Sequence, residues 1–390
     1  MSEGGRVFGL DLLRAFAILC VVYSHGSFLL GDAPVIPRDL YMIPVFDGVG
    51  MFFVLSGFLI GRILLRTVAK EDFDGRMLLA FWVRRWFRTL PNYFFVLAFL
   101  LLVAFLGANP PPELLRYLTF TQNFARPHPP FFPEAWSLAV EEWFYLLIPI
   151  PLYLSSKIRR LDRRAMVLVL IAAVIVFSTA LRLYRIRHFG YADLESWDIH
   201  IVKQVVTRMD SLMFGVLGAY VSIYHATLWR RAAAPALAIG MGLLLFDKTF
   251  ASLHYKMNYS LTVSAVGTLL LLPKLSAWRR SRGWVVGVVT FVSVTSYSMY
   301  LLNYTPVQHI LLPAVMGSLT QHLPRAEDHR VLIQYVLFWV MTVTASYLLY
   351  RYFELPMTSL RDRWPTRGHP VVTAFAGEVG APTGAQAGGR

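Results

Sequence analysis

Three ionisable side chains interrupt the apolar segment GLDLLRAFAILCVVYSH, which runs from Gly9 to His25 and otherwise has the composition of a membrane helix. An Asp or Arg at the centre of such a helix costs roughly 2.5–3.5 kcal/mol, so these residues usually face a bundle interior or a watery cavity. Arg14 and His25 are eleven residues apart, which places them within about 20° of a common face and about 16 Å apart along the axis. Asp11 lies one turn before Arg14 and can pair with it. The segment predicts an ion pair at one end and an imidazole at the other; the alternative is a structural pair with a hydrogen-bonded histidine.

An imidazole at this position can act as a general base or carry an acyl group, because its unperturbed pKa near ~6.5 leaves it neutral at neutral pH. Two carboxylates that could assist His25 occur in the segment AWSLAVEEWFY, at the predicted outer half of a later helix. Glu141 and Glu142 are adjacent and diverge by about 100°, so only one of them readily faces a given cavity. We expect that one to orient His25 or the acceptor. The alternative is a pair of solvated interfacial carboxylates.

The segment RRWFR, residues 84–88, precedes the third apolar stretch. Arg85 and Arg88 lie one turn apart, so both guanidinium groups can converge on one anion and bind phosphate through paired hydrogen bonds. The alternative is simple anchoring at the cytoplasmic surface. Four further polar residues within the apolar stretches are candidates for supporting a site: Arg208, Asp210, Tyr297 and Asn303.

The composition identifies the element type that positions these residues. The 390-residue chain is 56% hydrophobic and only 15% charged, against about 25% charged residues in a typical soluble protein. The net charge of +14 comes from basic blocks between apolar stretches, and no basic–aromatic stripe of the nucleic-acid-binding kind occurs. We therefore predict an all-α integral membrane protein that binds the lipid bilayer and no nucleic acid. Its single cysteine, Cys20, is expected to be a packed core thiol.

About ten membrane-spanning helices are predicted, near 8–30, 45–66, 90–107, 136–154, 165–183, 208–226, 234–250, 258–275, 284–303 and 331–352. Basic residues concentrate in alternate loops, which makes both termini cytoplasmic by the positive-inside rule. The loop after the fifth helix is an exception, because it carries Arg182, Arg185 and Arg187. We expect residues 1–360 to form one transmembrane domain and residues 361–390 to be a disordered cytoplasmic tail. The first helix is too long and too charged for a signal peptide and is expected to stay in the mature protein.

Seven stretches, taken in order, resemble the membrane acyltransferase-3 family: GLDLLRAFAILCVVYSH, FFVLSGFLI, RRWFRTLPNYF, AWSLAVEEWFYLLIP, RMDSLMFG, SYSMYLLN and RYFELP. The resemblance implies transfer of an acyl group, commonly acetyl, from acetyl-CoA or another short-chain acyl-CoA to a hydroxyl, without a metal. The acceptors it implies are sugars of cell-surface glycans or secondary metabolites such as macrolides. It also implies a multi-pass protein of a bacterial-type plasma membrane. The sequence shows no appended extracellular domain, so transfer is expected to finish in the membrane domain.

The resemblance also assigns roles to particular residues. Three motifs of the family have matching residues in this chain. Arg14 and His25 match a motif in which ten residues separate an arginine from a histidine, and Arg85 and Arg88 match the motif Arg-x-x-Arg. Glu141 and Glu142 match the motif SxxVEExFY. They imply that His25, with Glu141 and Glu142, is catalytic and that Arg14, Arg85 and Arg88 bind the donor. The chain departs from the family pattern at Gly50, where an acidic residue is common, and at Asn303, where histidine is common.

A transporter that uses an intramembrane Arg/His/Glu relay without chemistry is the competing hypothesis. Transporters often contain internal repeats, and none is apparent in this sequence.

Overall fold

The computed structural model describes residues 6–30, 46–69, 73–107, 113–158, 162–249, 252–322 and 330–360, and every regular element in these ranges is helical. The α-helices are α1 Phe8–Ser27, α2 Gly48–Val68, α3 Gly75–Leu106, α4 Leu114–Leu118, α5 Ala135–Leu147, α6 Pro149–Ser156, α7 Arg163–Phe189, α8 Leu194–Trp197, α9 Met209–Tyr224, α10 Ala226–Arg231, α11 Ala233–Thr249, α12 Leu253–Tyr255, α13 Leu261–Ala277, α14 Trp284–Leu302, α15 Leu312–His322, α16 Arg330–Leu349 and α17 Leu355–Leu360. Short π-helical segments are Asp198–Val202, Lys256–Ser260, Asn303–Leu311 and Tyr350–Glu354, and Phe28–Leu30 is a 3-10 turn.

Within the described part of the chain, eight helical stretches are long and apolar enough to cross a membrane. They are Phe8–Leu30, Gly48–Val68, Gly75–Leu106, Ala135–Ser156, Arg163–Phe189, Leu253–Ala277, Trp284–Leu319 and Arg330–Leu360. The sixth and seventh predicted spans correspond to α9 and α11, which are 16 and 17 residues long and fall below the usual spanning length of about 20 residues. The prediction of an all-α multi-pass membrane bundle is confirmed. The predicted tail, 361–390, lies outside the described residues.

Aspartates set the start of several helices. Asp47 accepts a hydrogen bond from the Gly50 N–H at 2.8 Å and begins α2, and Asp74 accepts one from the Met77 N–H at 2.9 Å and begins α3. Such N-caps satisfy backbone donors that have no partner inside the helix. Because α3 begins at this cap, the arginines of RRWFR share one continuous helix with the third span, and Pro91 lies inside it.

Helices α2 and α9 approach each other backbone to backbone. A Cβ added at Gly57 would collide with the Leu212 carbonyl oxygen, and one added at Gly215 would collide with the Val54 carbonyl oxygen. Small residues allow this close approach in membrane helices, where packing rather than hydrophobic burial drives association. The contact fixes the relative position of the N-terminal ends of α2 and α9, where Asp47 and Arg208 lie.

The exception to the charge pattern is explained by α7, which is longer than predicted and reaches Phe189. Arg182 is 1% exposed and donates to Asp210 Oδ2 at 2.6 Å and to the Thr207 carbonyl at 2.9 Å. Arg185 donates to the Gln204 side-chain oxygen. These arginines hold α7 against the start of α9 and are not free loop charges.

Candidate active site

The N-terminal end of α1 carries a shared ion cluster. Asp11 is 5% exposed and accepts two hydrogen bonds of 2.9 Å from Arg6, one of 3.1 Å from Arg14 and one of 2.8 Å from Ser293. The Arg14 guanidinium also donates to Ser293 Oγ at 3.2 Å. The predicted pairing of Asp11 with Arg14 is present, and Arg6 and Ser293 join it. One carboxylate therefore serves two arginines, which leaves the cluster with an excess of positive charge.

Arg88 faces this cluster from α3. It lies close enough to Arg14 for the two cations to repel each other, and it also interacts electrostatically with Glu141 and Glu354. Arg88 makes no hydrogen bond or ion pair with any residue in the described ranges. Two guanidinium groups that face each other form an arrangement suited to binding a phosphate. Arg85 lies 5.9 Å from the ring centroid of Tyr145.

The opposite end of α1 carries His25, whose Nδ1 lies 2.5 Å from Asn303 Oδ1. The Asn303 amide donates to the Met299 carbonyl at 2.8 Å and to the Tyr300 carbonyl at 2.9 Å. Because its two N–H groups serve those carbonyls, its oxygen is the atom that faces the imidazole, and Nδ1 must donate. The lone pair of His25 is then on Nε2, which hydrogen-bonds to no described residue.

The segment that carries Asn303 also packs against the imidazole. The Tyr304 ring lies 4.5 Å from the His25 ring, centroid to centroid. Both Asn303 and Tyr304 belong to the π-helical segment Asn303–Leu311. π-Helix is rare in proteins as a whole, and where it occurs it is often at a functional site. Ring orientation and tautomer are therefore both defined by one short segment.

The structure does not bring Glu141 or Glu142 to His25. Glu141 accepts a hydrogen bond from the Tyr145 hydroxyl at 2.9 Å, and that hydroxyl lies 2.5 Å from Ser56 Oγ. Glu142 is 8% exposed and accepts a hydrogen bond from Thr89 Oγ1 at 2.6 Å. The two carboxylates make different hydrogen bonds, as expected from adjacent helical positions, but both lie within electrostatic range of Arg85 on α3. The sequence placed Glu141 and Glu142 near His25 from their level along the helix alone. That level cannot show which neighbouring helix meets their side chains, and Thr89 of α3 is the observed partner of Glu142.

Tyr297 and Glu354 extend this polar layer. The Tyr297 hydroxyl donates to the Thr89 carbonyl at 2.7 Å. Glu354 is 9% exposed and accepts hydrogen bonds from Asn92 at 2.8 Å and Ser298 at 2.7 Å. These contacts tie α3, α5, α14 and the π-helical turn Tyr350–Glu354 together at the level of Arg88.

Comparison with known proteins decides the family. A family model described as an acyltransferase domain matches residues 7–351. The chain belongs to this acyltransferase family. No solved structure matches it.

Three curated relatives of this chain are bacterial. OatA of Listeria monocytogenes, a peptidoglycan O-acetyltransferase, is 24% identical over 80% of this chain and 52% of its own length. The O-acetyltransferase OatA of Staphylococcus aureus is 28% identical over 55% of this chain and 34% of its own length. YrhL of Bacillus subtilis, named a candidate peptidoglycan O-acetyltransferase, is 32% identical over 43% of this chain and 28% of its own length. The chain thus spans about half or less of each relative. With the membrane spans described above, these relatives indicate a multi-pass protein of a bacterial plasma membrane.

The departure from the family pattern at Gly50 has a structural counterpart in Asp47. A Cβ added at Gly50 would collide with the Asp47 carboxylate, so that carboxylate already fills the space of a side chain at position 50. Asp47 lies 3.4 Å from the Arg208 guanidinium, whereas Asp210 pairs with Arg182. The two predicted support residues Arg208 and Asp210 therefore belong to separate ion pairs.

Glu134 connects the start of α5 to the segment that holds His25. It is 3% exposed and accepts hydrogen bonds from the Thr305 N–H at 2.5 Å and the Thr305 hydroxyl at 2.7 Å. Burial raises the pKa of Glu134 to about 7, and the two hydrogen bonds from Thr305 oppose this shift. The Tyr300 hydroxyl, which accepts from Ser137, donates to the Glu134 carbonyl at 3.1 Å. The start of α5 therefore contacts α14 before Asn303, through Tyr300, and the π-helical segment after it, through Thr305.

Sequence reasoning missed Arg6, Asp47, Glu134 and Glu354. Asp47 carried a usable signal, because an aspartate just before an apolar helix is a typical N-cap. Arg6, Glu134 and Glu354 are polar residues at the ends of apolar stretches, where solvated side chains are the ordinary expectation. Among the described residues no group of three or more His, Cys, Asp or Glu is arranged to hold a metal ion.

Proposed function

We propose that this protein is a membrane O-acyltransferase that moves an acetyl group, or another short acyl group, from acyl-CoA to a hydroxyl of a sugar. The observation that carries the proposal is the His25–Asn303 hydrogen bond, which leaves the Nε2 lone pair of an oriented imidazole available. The names of the bacterial relatives support acetyl as the group and a peptidoglycan sugar as the acceptor. A secondary metabolite such as a macrolide is the second candidate acceptor, because a branch of the family acts on such molecules.

Acyl-CoA would bind at the end of α1 that carries Arg14. Arg88 and Arg14 are close enough to repel each other, and the phosphates of a bound acyl-CoA would relieve that repulsion. Arg85 on the same helix would add a third cation. Arg14 and His25 are separated by about 16 Å along the axis of α1. The flexible pantetheine arm of acyl-CoA would span this distance between the phosphates and the thioester. On this basis the Arg14 end and both termini face the cytoplasm, which agrees with the basic loops.

At the outer end His25 Nε2 would take the proton of the acceptor hydroxyl as its oxygen attacks the thioester carbonyl. The new C–O bond forms, the C–S bond breaks, and the imidazolium returns the proton to the departing CoA thiolate. In the alternative order Nε2 attacks the thioester first, the C–S bond breaks and the CoA thiolate leaves. The hydroxyl oxygen then takes the acyl group from the imidazole, and the hydroxyl proton neutralises the thiolate. Both routes need the tautomer that Asn303 holds. Asn303 takes the orienting part that a carboxylate takes in other His-based sites.

Glu141 and Glu142 would support the donor side. Glu141 lies within electrostatic range of Arg85 and Arg88, and Glu142 connects through Thr89 to the same helix. We assign them to orienting the arginines of α3 and not to contact with His25. The sequence predicts that one of them assists His25 directly, whereas the role proposed here is to support binding of the donor. Residues 1–360 would form the transmembrane domain that carries this activity.

The decisive experiment uses purified full-length protein, labelled acetyl-CoA and a panel of hydroxylated acceptors. We expect label on a sugar acceptor, and no label when the same amount of folded His25→Ala protein is used. Uptake of a solute into proteoliposomes without any acylated product would favour the transporter hypothesis. Equal transfer by His25→Ala and the parent would reject His25 as the reacting base.

A further inference from the structure

Two Arg–Asp pairs lie at the start of α9, and they differ in how complete they are. Arg182 and Asp210 are both fully buried and 2.6 Å apart, and Arg182 also donates to Thr207 and Thr262. Arg208 and Asp47 are 3.4 Å apart, beyond the usual length of a charge-assisted hydrogen bond. The first pair is closed in the sense that a short charge-assisted hydrogen bond joins its charges, although Asp210 Oδ1 has no hydrogen-bond partner among the described residues. The second pair is open, because its charged atoms are 3.4 Å apart.

Arg208 keeps two unused donors. Its side chain is 1% exposed, and its Nε and Nη1 groups are buried without a hydrogen-bond partner. Its charge rests on the face of Phe53, 5.4 Å from the ring centroid. A buried guanidinium donor without an acceptor carries a desolvation cost, which a ligand oxygen at this position would remove.

Asp47 is the accessible member of the pair. Its side chain is 31% exposed, and only one of its oxygens serves the α2 cap. It interacts electrostatically with Tyr300 on α14 and with Cys20 on α1. Tyr300 lies one turn before Asn303 on α14, and Cys20 lies five residues before His25 on α1, so Asp47 is near the two helices that lead to the imidazole and its partner.

We propose that Asp47 and Arg208 form the binding subsite for a hydroxyl of the acceptor sugar. A sugar hydroxyl donates one hydrogen bond and accepts others, so its hydrogen can go to the Asp47 carboxylate while its oxygen accepts from Arg208. The open spacing of the pair leaves both partners for the ligand, and Phe53 beneath Arg208 supplies an apolar floor. The subsite rests on the proposed function, because it takes an acceptor whose hydroxyl His25 acylates.

The test measures acceptor KM with a soluble peptidoglycan disaccharide and labelled acetyl-CoA on the full chain. Asp47→Ser keeps an N-cap oxygen for Gly50 but loses the carboxylate, and Arg208→Lys keeps the charge but loses the paired donors. Each should raise the acceptor KM by roughly 10-fold or more, as the loss of a hydrogen bond to a charged group predicts. The donor KM should stay within about twofold of the parent value.

Arg182→Lys is the matched control, because it weakens the closed pair of the same helix start. It should lower the thermal unfolding temperature and leave the acceptor KM unchanged. In the variant that combines Asp47→Ser with Gly50→Asp, the carboxylate returns one turn further along α2 and should recover part of the lost affinity. An unchanged acceptor KM in both Asp47→Ser and Arg208→Lys would overturn the subsite while leaving the transferase intact. A parent that transfers no label to any acceptor would overturn the proposed function, and the subsite with it.

Discussion

Replacing Asn303 by alanine removes the only acceptor that His25 Nδ1 has in the described part of the chain. The free imidazole can then rotate and can carry its proton on either nitrogen, so the reactive Nε2 lone pair is no longer fixed. A hydrogen bond to a group that becomes charged during reaction contributes about 1.5–3 kcal/mol, which corresponds to a fall in kcat of roughly 10- to 150-fold. Substrate binding does not use this bond, so both KM values should change little.

Acetyl transfer should be followed at saturating acetyl-CoA and acceptor, with protein amounts matched by gel filtration. Asn303→Asp restores an acceptor for Nδ1–H and should recover part of kcat, although its carboxylate opposes the Met299 and Tyr300 carbonyls. Thr295→Val is the control on the same helix, since it loses hydrogen bonds to backbone carbonyls about two turns before Asn303. Asn303→Ala activity within about twofold of the parent would refute the orienting role. So would an equal loss in Thr295→Val.

Three further outcomes are expected. Arg88→Ala should raise the acetyl-CoA KM by about 10-fold or more, because contacts to the donor phosphates are lost. The control is Arg76→Ala, which changes an exposed arginine of the same helix and should leave the acetyl-CoA KM unchanged. A rise in the acceptor KM alone would contradict the proposed donor site. Glu141→Gln should disturb the donor KM more than Glu142→Gln, because Glu141 faces both arginines, while the amide oxygen introduced by Glu142→Gln could still accept from Thr89; equal effects would remove the distinction. Since the pKa of Glu134 is raised from 4.5 to about 7, its contribution to stability is present below 4.5 and is lost as pH rises through about 7. The unfolding temperature of the parent should therefore fall more steeply than that of Glu134→Gln between about pH 5 and 8, and parallel curves would show that burial does not perturb this carboxyl.

Much of the fold could be predicted from the sequence, because a membrane helix leaves a long apolar signal. The predicted first span, 8–30, agrees with Phe8–Leu30, and the pair of Asp11 and Arg14 follows from helix geometry alone. The sequence places the start of α3 near 90 because the arginines before Pro91 look like a surface loop. Proline inside a membrane helix is tolerated when neighbours satisfy the freed groups, and the cap at Asp74 begins the helix much earlier.

The site was harder to predict because its contacts join helices distant in sequence. Spacing placed His25 on the face of Arg14, but it could not show that Asn303 would reach the imidazole from the end of α14. Because the family often has a histidine where this chain has Asn303, the sequence suggested that a catalytic group was missing. In the structure the Asn303 side-chain oxygen instead contacts His25 Nδ1 and orients the imidazole. Likewise, the glycine at position 50 suggested a lost carboxylate, and only the three-dimensional structure shows that Asp47 fills that space.

The backbone contact between α2 and α9 limits how such a chain can change over evolutionary time. At Gly57 and Gly215 even a methyl group meets a carbonyl oxygen of the other helix, so a single substitution there separates both helices at once. New acceptor preferences would then have to arise at positions that can vary one at a time. Positions outside this contact, such as the helix ends that carry Asp47 and Arg208, can change one side chain and leave the packing of α2 against α9 intact.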